Sequence, residues 1–143
     1  MTVATQSHEK ASAVQSGIDL VRAVYAAYAR RDMASAATLF HPEGVAFQTP
    51  LLPWGGEHHG RAGLLAFMGG LTRHIETEIV DETLFEAGDR VVSIGRSRGR
   101  AVQTGVAFTL DAVHIYTLRD GMIVRYEAYV DTPGMLAALG GQA

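Results

Sequence analysis

His114 sits in the run Leu110-Asp-Ala-Val-His-Ile-Tyr116, where apolar and β-branched residues surround a single imidazole. On the apolar face of a strand an imidazole must find a hydrogen-bond partner or bear a desolvation cost that favours its neutral form. Neutral near pH 7, it can accept or donate a proton, which is what acid–base work on an enolisable substrate needs. The same residue also fits a core histidine satisfied by a tyrosine hydroxyl or a backbone carbonyl. Asp131 closes the next apolar run, and two roles are open to it. It can orient His114 or serve as the acid of a pocket, or it can cap a helix opened by Thr132-Pro133. Tyr25 and Tyr28 share a helical face, where a buried phenol needs a partner; each is a candidate oxyanion donor or a packing residue.

His41, His58 and His59 raise the question of a metal, since imidazole is the commonest zinc ligand. Adjacent histidines in a loop do not easily face one ion, and no carboxylate stands at ligand spacing beside them, so no metal site is expected. The chain has no cysteine, which excludes disulfides and thiolate metal sites. Of its twelve basic residues eleven are arginine, and they form no cluster beyond Arg96, Arg98 and Arg100. Those three alternate as a solvated strand face does. With a net charge of −3, this pattern argues against nucleic-acid binding.

The elements that must position His114 are two strands and a turn. Phe108 to Leu118 and Met122 to Val130 are rich in β-branched and aromatic residues, and Arg119-Asp120-Gly121 lies between them. A three-residue loop sets Leu118 against Met122 and His114 against Tyr126, collecting Leu110, Ala112, His114, Tyr116, Tyr126 and Ala128 on one face. A two-residue Asp-Gly turn pairs His114 with Glu127 instead. The three-residue loop is preferred because it gathers the apolar residues of both strands on a common side. Val113 and Ile115 then form an apolar strip on the outer face, which predicts a homodimer through that face.

At 143 residues and 48% hydrophobic, the chain can bury one core and no second domain fits. Residues 1–15 read as a disordered tail and 16–143 as a single domain. The tail has neither a signal sequence nor an anchor, and no apolar run approaches the roughly 20 residues of a membrane span, so the cytoplasm is the expected location. Ser16-Gly-Ile-Asp19 predicts a helix start, with an apolar face to Arg31 that turns both tyrosines inward. Asp32 caps a second helix, Met33 to Phe40, ended by His41-Pro42. Gly44 to Thr49 is a short strand. The loop from Pro50 to Gly60 carries Leu51, Leu52 and Trp54, and Trp54 is expected at a pocket mouth. Arg61 to Leu71 predicts a third helix, weakened or ended by Gly69-Gly70. Strands Ile75 to Phe85 and Arg90 to about Arg100 follow, with Gly95, Gly99 and Gly105 as bend or bulge positions that curve the sheet round a cavity. Thr132 is expected to cap a last short helix that ends at Gly140-Gly141.

This order of elements resembles the nuclear transport factor 2-like superfamily, and more specifically its SnoaL-like and ketosteroid-isomerase-like branch. The residues that carry the resemblance are Tyr28-Ala-Arg-Arg-Asp32, Gly60-Arg-Ala-Gly-Leu-Leu-Ala-Phe67, Leu118-Arg-Asp-Gly-Met-Ile123 and Tyr129-Val-Asp131, over about residues 18 to 139. The resemblance implies an α+β fold, a cone-shaped, curved antiparallel or mixed β-sheet wrapped by three helices from the N-terminal half with a short C-terminal helix. It places the proton-shuttling aspartate of the steroid isomerases on Thr49, which cannot ionise at ordinary pH. Their oxyanion-binding tyrosine falls on Val24, beside Tyr25, and their oxyanion-stabilising acid on His114. The polyketide cyclases of the SnoaL-like group use an inward histidine that His114 matches, whereas their catalytic aspartate falls on Ala128.

Fold does not settle function in such a superfamily. The expectation is a small-molecule-binding domain whose apolar pocket is lined by Tyr28, Phe40, Thr49, Trp54, Phe67, Met68, Ala112, Tyr116, Tyr126 and Ala128. If it is an enzyme, it is an isomerase, cyclase or dehydratase that needs no cofactor. His114, Asp131 and Tyr25 are then the candidate catalytic residues. The alternative is a non-catalytic ligand-binding or dimeric interaction module.

Overall fold

The computed structural model describes residues 17–140; the expected tail, the Ser16 cap and Gly141 lie outside the described residues. Helix α1, described over 17–29, leads to α2 (Met33–Thr38), β1 (Phe40–Gln48), β2 (Gly56–His59) and α3 (Gly60–His74). Then come β3 (Ile75–Ala87), β4 (Arg90–Ala101), β5 (Ala107–Arg119), β6 (Met122–Val130) and α4 (Thr132–Ala138). The fold is α+β. Its six strands form one open mixed sheet in the order β2-β1-β6-β5-β4-β3, with β1 parallel to β6 and the other neighbours antiparallel.

All four helices contribute apolar side chains to one face of this sheet. Val21 of α1, Ala37 of α2, Phe67 of α3 and Met135 of α4 join Phe40, Ala46, Tyr116 and Ile123 in the core. The other face carries the arginine row, where Arg96, Arg98 and Arg100 pair with Asp111, Glu78 and Glu76 across the strands. Such exposed pairs contribute at most about 1 kcal/mol each. Curvature enters at a bulge in β3 between Val80 and Thr83, where Asp81 takes a φ of 55°. Gly95 sits against it, since a Cβ there would stand 2.8 Å from the Val80 carbonyl oxygen.

Several expectations are corrected. The hairpin has neither expected register. Asp120 and Gly121, both at positive φ, make a two-residue turn that pairs Arg119 with Met122, and an irregularity follows between Thr117 and Leu118. The residue thereby inserted on β6 pairs His114 with Ala128 and Tyr116 with Tyr126. A shift of two from the expected register preserves side-chain parity, so the inward face is the expected one. The second helix stops at Thr38 rather than Phe40, and β1 begins at Phe40 and runs through Pro42. Proline is tolerated there because the pairing with β6 is irregular between Phe40 and Val45.

The end of the Pro50–Gly60 loop is an edge strand, β2, pairing Gly56 to His59 with β1. Helix α3 continues through Gly69-Gly70 to His74 because Gly70 is buried against Trp54, where packing outweighs a propensity cost of about 1 kcal/mol. Gly105 lies in the loop after β4 rather than inside a strand. The cap of the last helix is Asp131, not Thr132.

Candidate functional site

The inward rows of β5 and β6 meet the inner side of α1 over a cavity of about 110 Å³. Its walls come from all four helices and from five of the six strands, and none of its lining residues is Asp, Glu, Lys or Arg. An engineered apolar cavity of about 150 Å³ accepts benzene, so the scale here is that of a single ring. A groove between α1 and β3 borders the same Tyr25, Tyr28, Thr77 and Ile79. Arg22, Arg31, Glu78 and Glu82 line that groove outside.

Tyr25 and His114 form the polar centre of the wall. Tyr25 Oη lies 2.8 Å from His114 Nδ1, and either atom can be the donor. The rings of Tyr116 and Tyr126 stand edge-on to the imidazole at 6.4 and 5.5 Å between centroids. Enclosed by these rings, His114 has its pKa lowered to about 4 by burial. Burial likewise raises the phenol of Tyr25, with the Ser93 and Tyr116 hydroxyls offsetting part of the effect. It pushes Tyr116 and Tyr126 well above the usual phenol value. At neutral pH every one of these groups is therefore uncharged. His114 Nε2 has no protein partner among the described residues and is left for whatever occupies the cavity.

Tyr28, Phe40, Trp54, Met68, Ala112, Tyr116, Tyr126 and Ala128 stand with Tyr25 and His114 at this cavity. Three expected residues do not. Asp131 is exposed at the N-cap of α4, its carboxylate accepting from the Gly134 amide at 3.1 Å. Thr49 lies in the loop after β1, its hydroxyl accepting from the Leu51 amide. Phe67 is fully buried below the cavity, packed between the rings of His58 and Tyr126. Val24, the position matching the isomerases' tyrosine, also lines the cavity.

Sequence reasoning missed Gln48, Thr77 and Ser97, the other polar lining residues. Thr77 and Ser97 share a hydroxyl–hydroxyl bond of 2.6 Å. Gln48 is 5% exposed and accepts from Trp54 Nε1 at 2.8 Å. The signal for Ser97 was present in Arg96-Ser97-Arg98, since outward arginines put the serine inward. Gln48 follows Gly44 and Ala46 on the buried parity of β1.

The histidines near the loop are structural. His58 Nε2 donates to the Trp54 and Gly55 carbonyls at 3.1 and 3.2 Å and pins the loop, while His59 faces outward near Glu57. Among the described residues no group of three or more His, Asp or Glu is placed to hold a metal ion, and no helix is long and apolar enough to cross a membrane.

Comparison with known proteins agrees with this fold. Residues 21–126 match the SnoaL-like domain. An uncharacterized PhzA/B-like protein of Pseudomonas aeruginosa is 33% identical over 107 residues, 72% of this chain and 75% of that protein. An NTF2-like protein of unknown function from Burkholderia pseudomallei superposes with a TM-score of 0.81 at 29% identity, over 87% of this chain and 97% of that one. TerC, co-crystallized with polyporic acid, superposes with a TM-score of 0.80 at 27% identity, over 88% and 99%. More distant structures, candidate polyketide cyclases among them, share the fold. The chain belongs to the SnoaL-like domain family, within the NTF2-like fold.

Proposed function

We propose that the protein binds a small, largely apolar molecule in this cavity through a carbonyl or phenol oxygen, and converts it as an isomerase, cyclase or dehydratase without a cofactor. The observation that carries the proposal is the Tyr25–His114 hydrogen bond at the wall of a cavity with no charged lining residue. Neutral His114 is the proton acceptor available there. With a value of about 4 it is a weak base, so it moves only a proton that the substrate itself holds loosely, such as one between two carbonyls. Tyr25 orients the imidazole, and Tyr126, whose ring packs edge-on to it in the same wall, is the proposed donor to the developing enolate oxygen. Asp131 is left out of this chemistry because its carboxylate is spent on the α4 cap. The co-crystallization of TerC, a chain of this fold, with polyporic acid supports a ligand role.

The test is a thermal-unfolding screen of wild type and His114→Phe against small aromatic and β-dicarbonyl compounds, followed by turnover assays on the compounds that bind. A rise in Tm for wild type alone supports the proposal, because a ligand that binds only the folded state stabilises it. Binding without turnover favours the second reading, a non-catalytic ligand-binding module. That second reading draws on the outer sheet face, where Phe85, Ile94 and Tyr129 are exposed beside Val113 and Ile115. A homodimer through this face is part of the proposal in either case.

A further inference from the structure

We propose that Gln48 is a second polar contact for the ligand, so that the cavity selects a flat, single-ring molecule with two hydrogen-bonding oxygens at opposite ends. One oxygen lies against Gln48 and the other against His114. This rests on the cavity being a ligand site.

Three observations carry it. Gln48 is 95% buried in a wall that carries no charged residue. An indole N–H can only donate, so the atom that meets Trp54 Nε1 at 2.8 Å is the amide oxygen of Gln48. The N–H₂ group is thereby turned to the remaining side, and it has no protein acceptor among the described residues. Among the described residues Tyr28 Oη is the one side-chain polar atom both fully enclosed and unpartnered, so the Gln48 nitrogen, also unpartnered among them, keeps some open surface, and the space that Gln48 borders is the cavity.

The sheet register supplies the spacing. Gln48 pairs with Ala128 of β6, and Ala128 pairs with His114 of β5. Gln48 and His114 therefore lie in one cross-strand row with a single alanine between them. Adjacent strands are about 4.8 Å apart, which puts the two residues roughly 10 Å apart. Both side chains line the cavity from that row, so a molecule lying over Ala128 can meet one at each end. Ala128 keeps that interval free, and a larger side chain at 128 would fill it.

A hydroxyl added to a ligand costs affinity in an apolar pocket and gains it only where a partner waits. The probes are hydroquinone, 4-methylphenol and p-xylene, which differ by one hydroxyl-to-methyl exchange at a time. They are titrated under argon against ¹⁵N-labelled wild type and Gln48→Met, and followed by the indole resonance of the single tryptophan, Trp54. Wild type should bind hydroquinone at least fivefold tighter than 4-methylphenol, and Gln48→Met should reverse that order. In wild type the Gln48 side-chain N–H₂ pair, assigned by its absence from the variant, should shift with hydroquinone more than with 4-methylphenol. This wild-type measurement stands even if Gln48→Met loosens Trp54. Equal or weaker binding of hydroquinone by wild type overturns the inference while the cavity remains a ligand site. A hydroquinone preference that survives in Gln48→Met, with unmoved N–H₂ resonances, overturns the role of Gln48. If none of the three binds, p-xylene included, the ligand cavity itself is refuted and the inference falls with it.

Discussion

Tyr25 and His114, 89 residues apart in sequence, meet at 2.8 Å with the imidazole ring tilted between Tyr25 and Tyr126. The bond ties the first helix to the middle of the sheet, and it fixes which imidazole nitrogen is left for the cavity. A neutral imidazole and a neutral phenol held this way give the cavity polarity without charge.

That neutrality predicts a pH dependence. The folded value of His114, about 4, lies below the ordinary 6.5, so between these values the unfolded chain binds the extra proton and the folded one does not. Stability is therefore complete above about pH 6.5 and falls as the pH drops towards 4, by about 3 kcal/mol from this residue. Urea unfolding at pH 7 and pH 4.5 should show the loss in wild type and a smaller one in His114→Phe. An imidazole resonance of His114 titrating near pH 6.5 in the folded protein would refute the assignment.

The Tyr25–His114 pair should also be energetically coupled. Tyr25→Phe leaves His114 Nδ1 without its partner in a buried site, a loss of about 1–2 kcal/mol. His114→Phe removes the same bond from Tyr25 Oη, which keeps the Ser93 and Tyr116 hydroxyls beside it. Because the two residues touch, the double variant should cost less than the sum of the singles, with a coupling of about 1 kcal/mol in denaturant unfolding. Additivity within error would mean that the hydrogen bond contributes nothing to the folded state.

Much of this was legible in the sequence because side-chain parity along a strand is a local property. The alternation in Leu110 to Tyr116 put Ala112, His114 and Tyr116 on one face whatever the turn did, and the helical spacing of Tyr25 and Tyr28 turned both inward. Register was not legible. It depends on the extra residue inserted on β6 after a two-residue turn, and no residue type announces that irregularity. The continuation of α3 through Gly69-Gly70 depends on Trp54, which packs against Gly70 from a loop far away in sequence. Gln48 was hidden for a related reason. Its partner, Trp54, is close in sequence, but the tight turns from Thr49 to Gly55 that bring the indole back over the strand arise from backbone contacts.

Asp131 separates capping from chemistry. Its carboxylate accepts from the Gly134 amide and its carbonyl from the Met135 amide, which is the arrangement of a helix N-cap. Asp131→Ala should cost about 1 kcal/mol in thermal or urea unfolding and leave ligand affinity unchanged. Asp131→Asn or Asp131→Ser, both good caps, should recover most of that loss. A variant that unfolds normally yet loses turnover would return Asp131 to the catalytic set.

The outer face of the sheet supplies the last prediction. Ile94 is 49% exposed and Tyr129 44%, Val113 lies between them across β4, β5 and β6, and Ile115 follows on the same face of β5 beside Val92. Apolar residues contiguous across three strands are the surface that a second copy would cover, and two-fold symmetry would set the same strip against itself. Ile94 points away from the cavity, because its neighbours Ser93 and Gly95 are on the inward parity of β4. Ile94→Arg should therefore convert a dimer to a monomer in sedimentation velocity without altering the affinity of a cavity ligand. If wild type already sediments as a monomer at concentrations well above those of the binding assays, the dimer is refuted, and the strip is simply an exposed apolar surface.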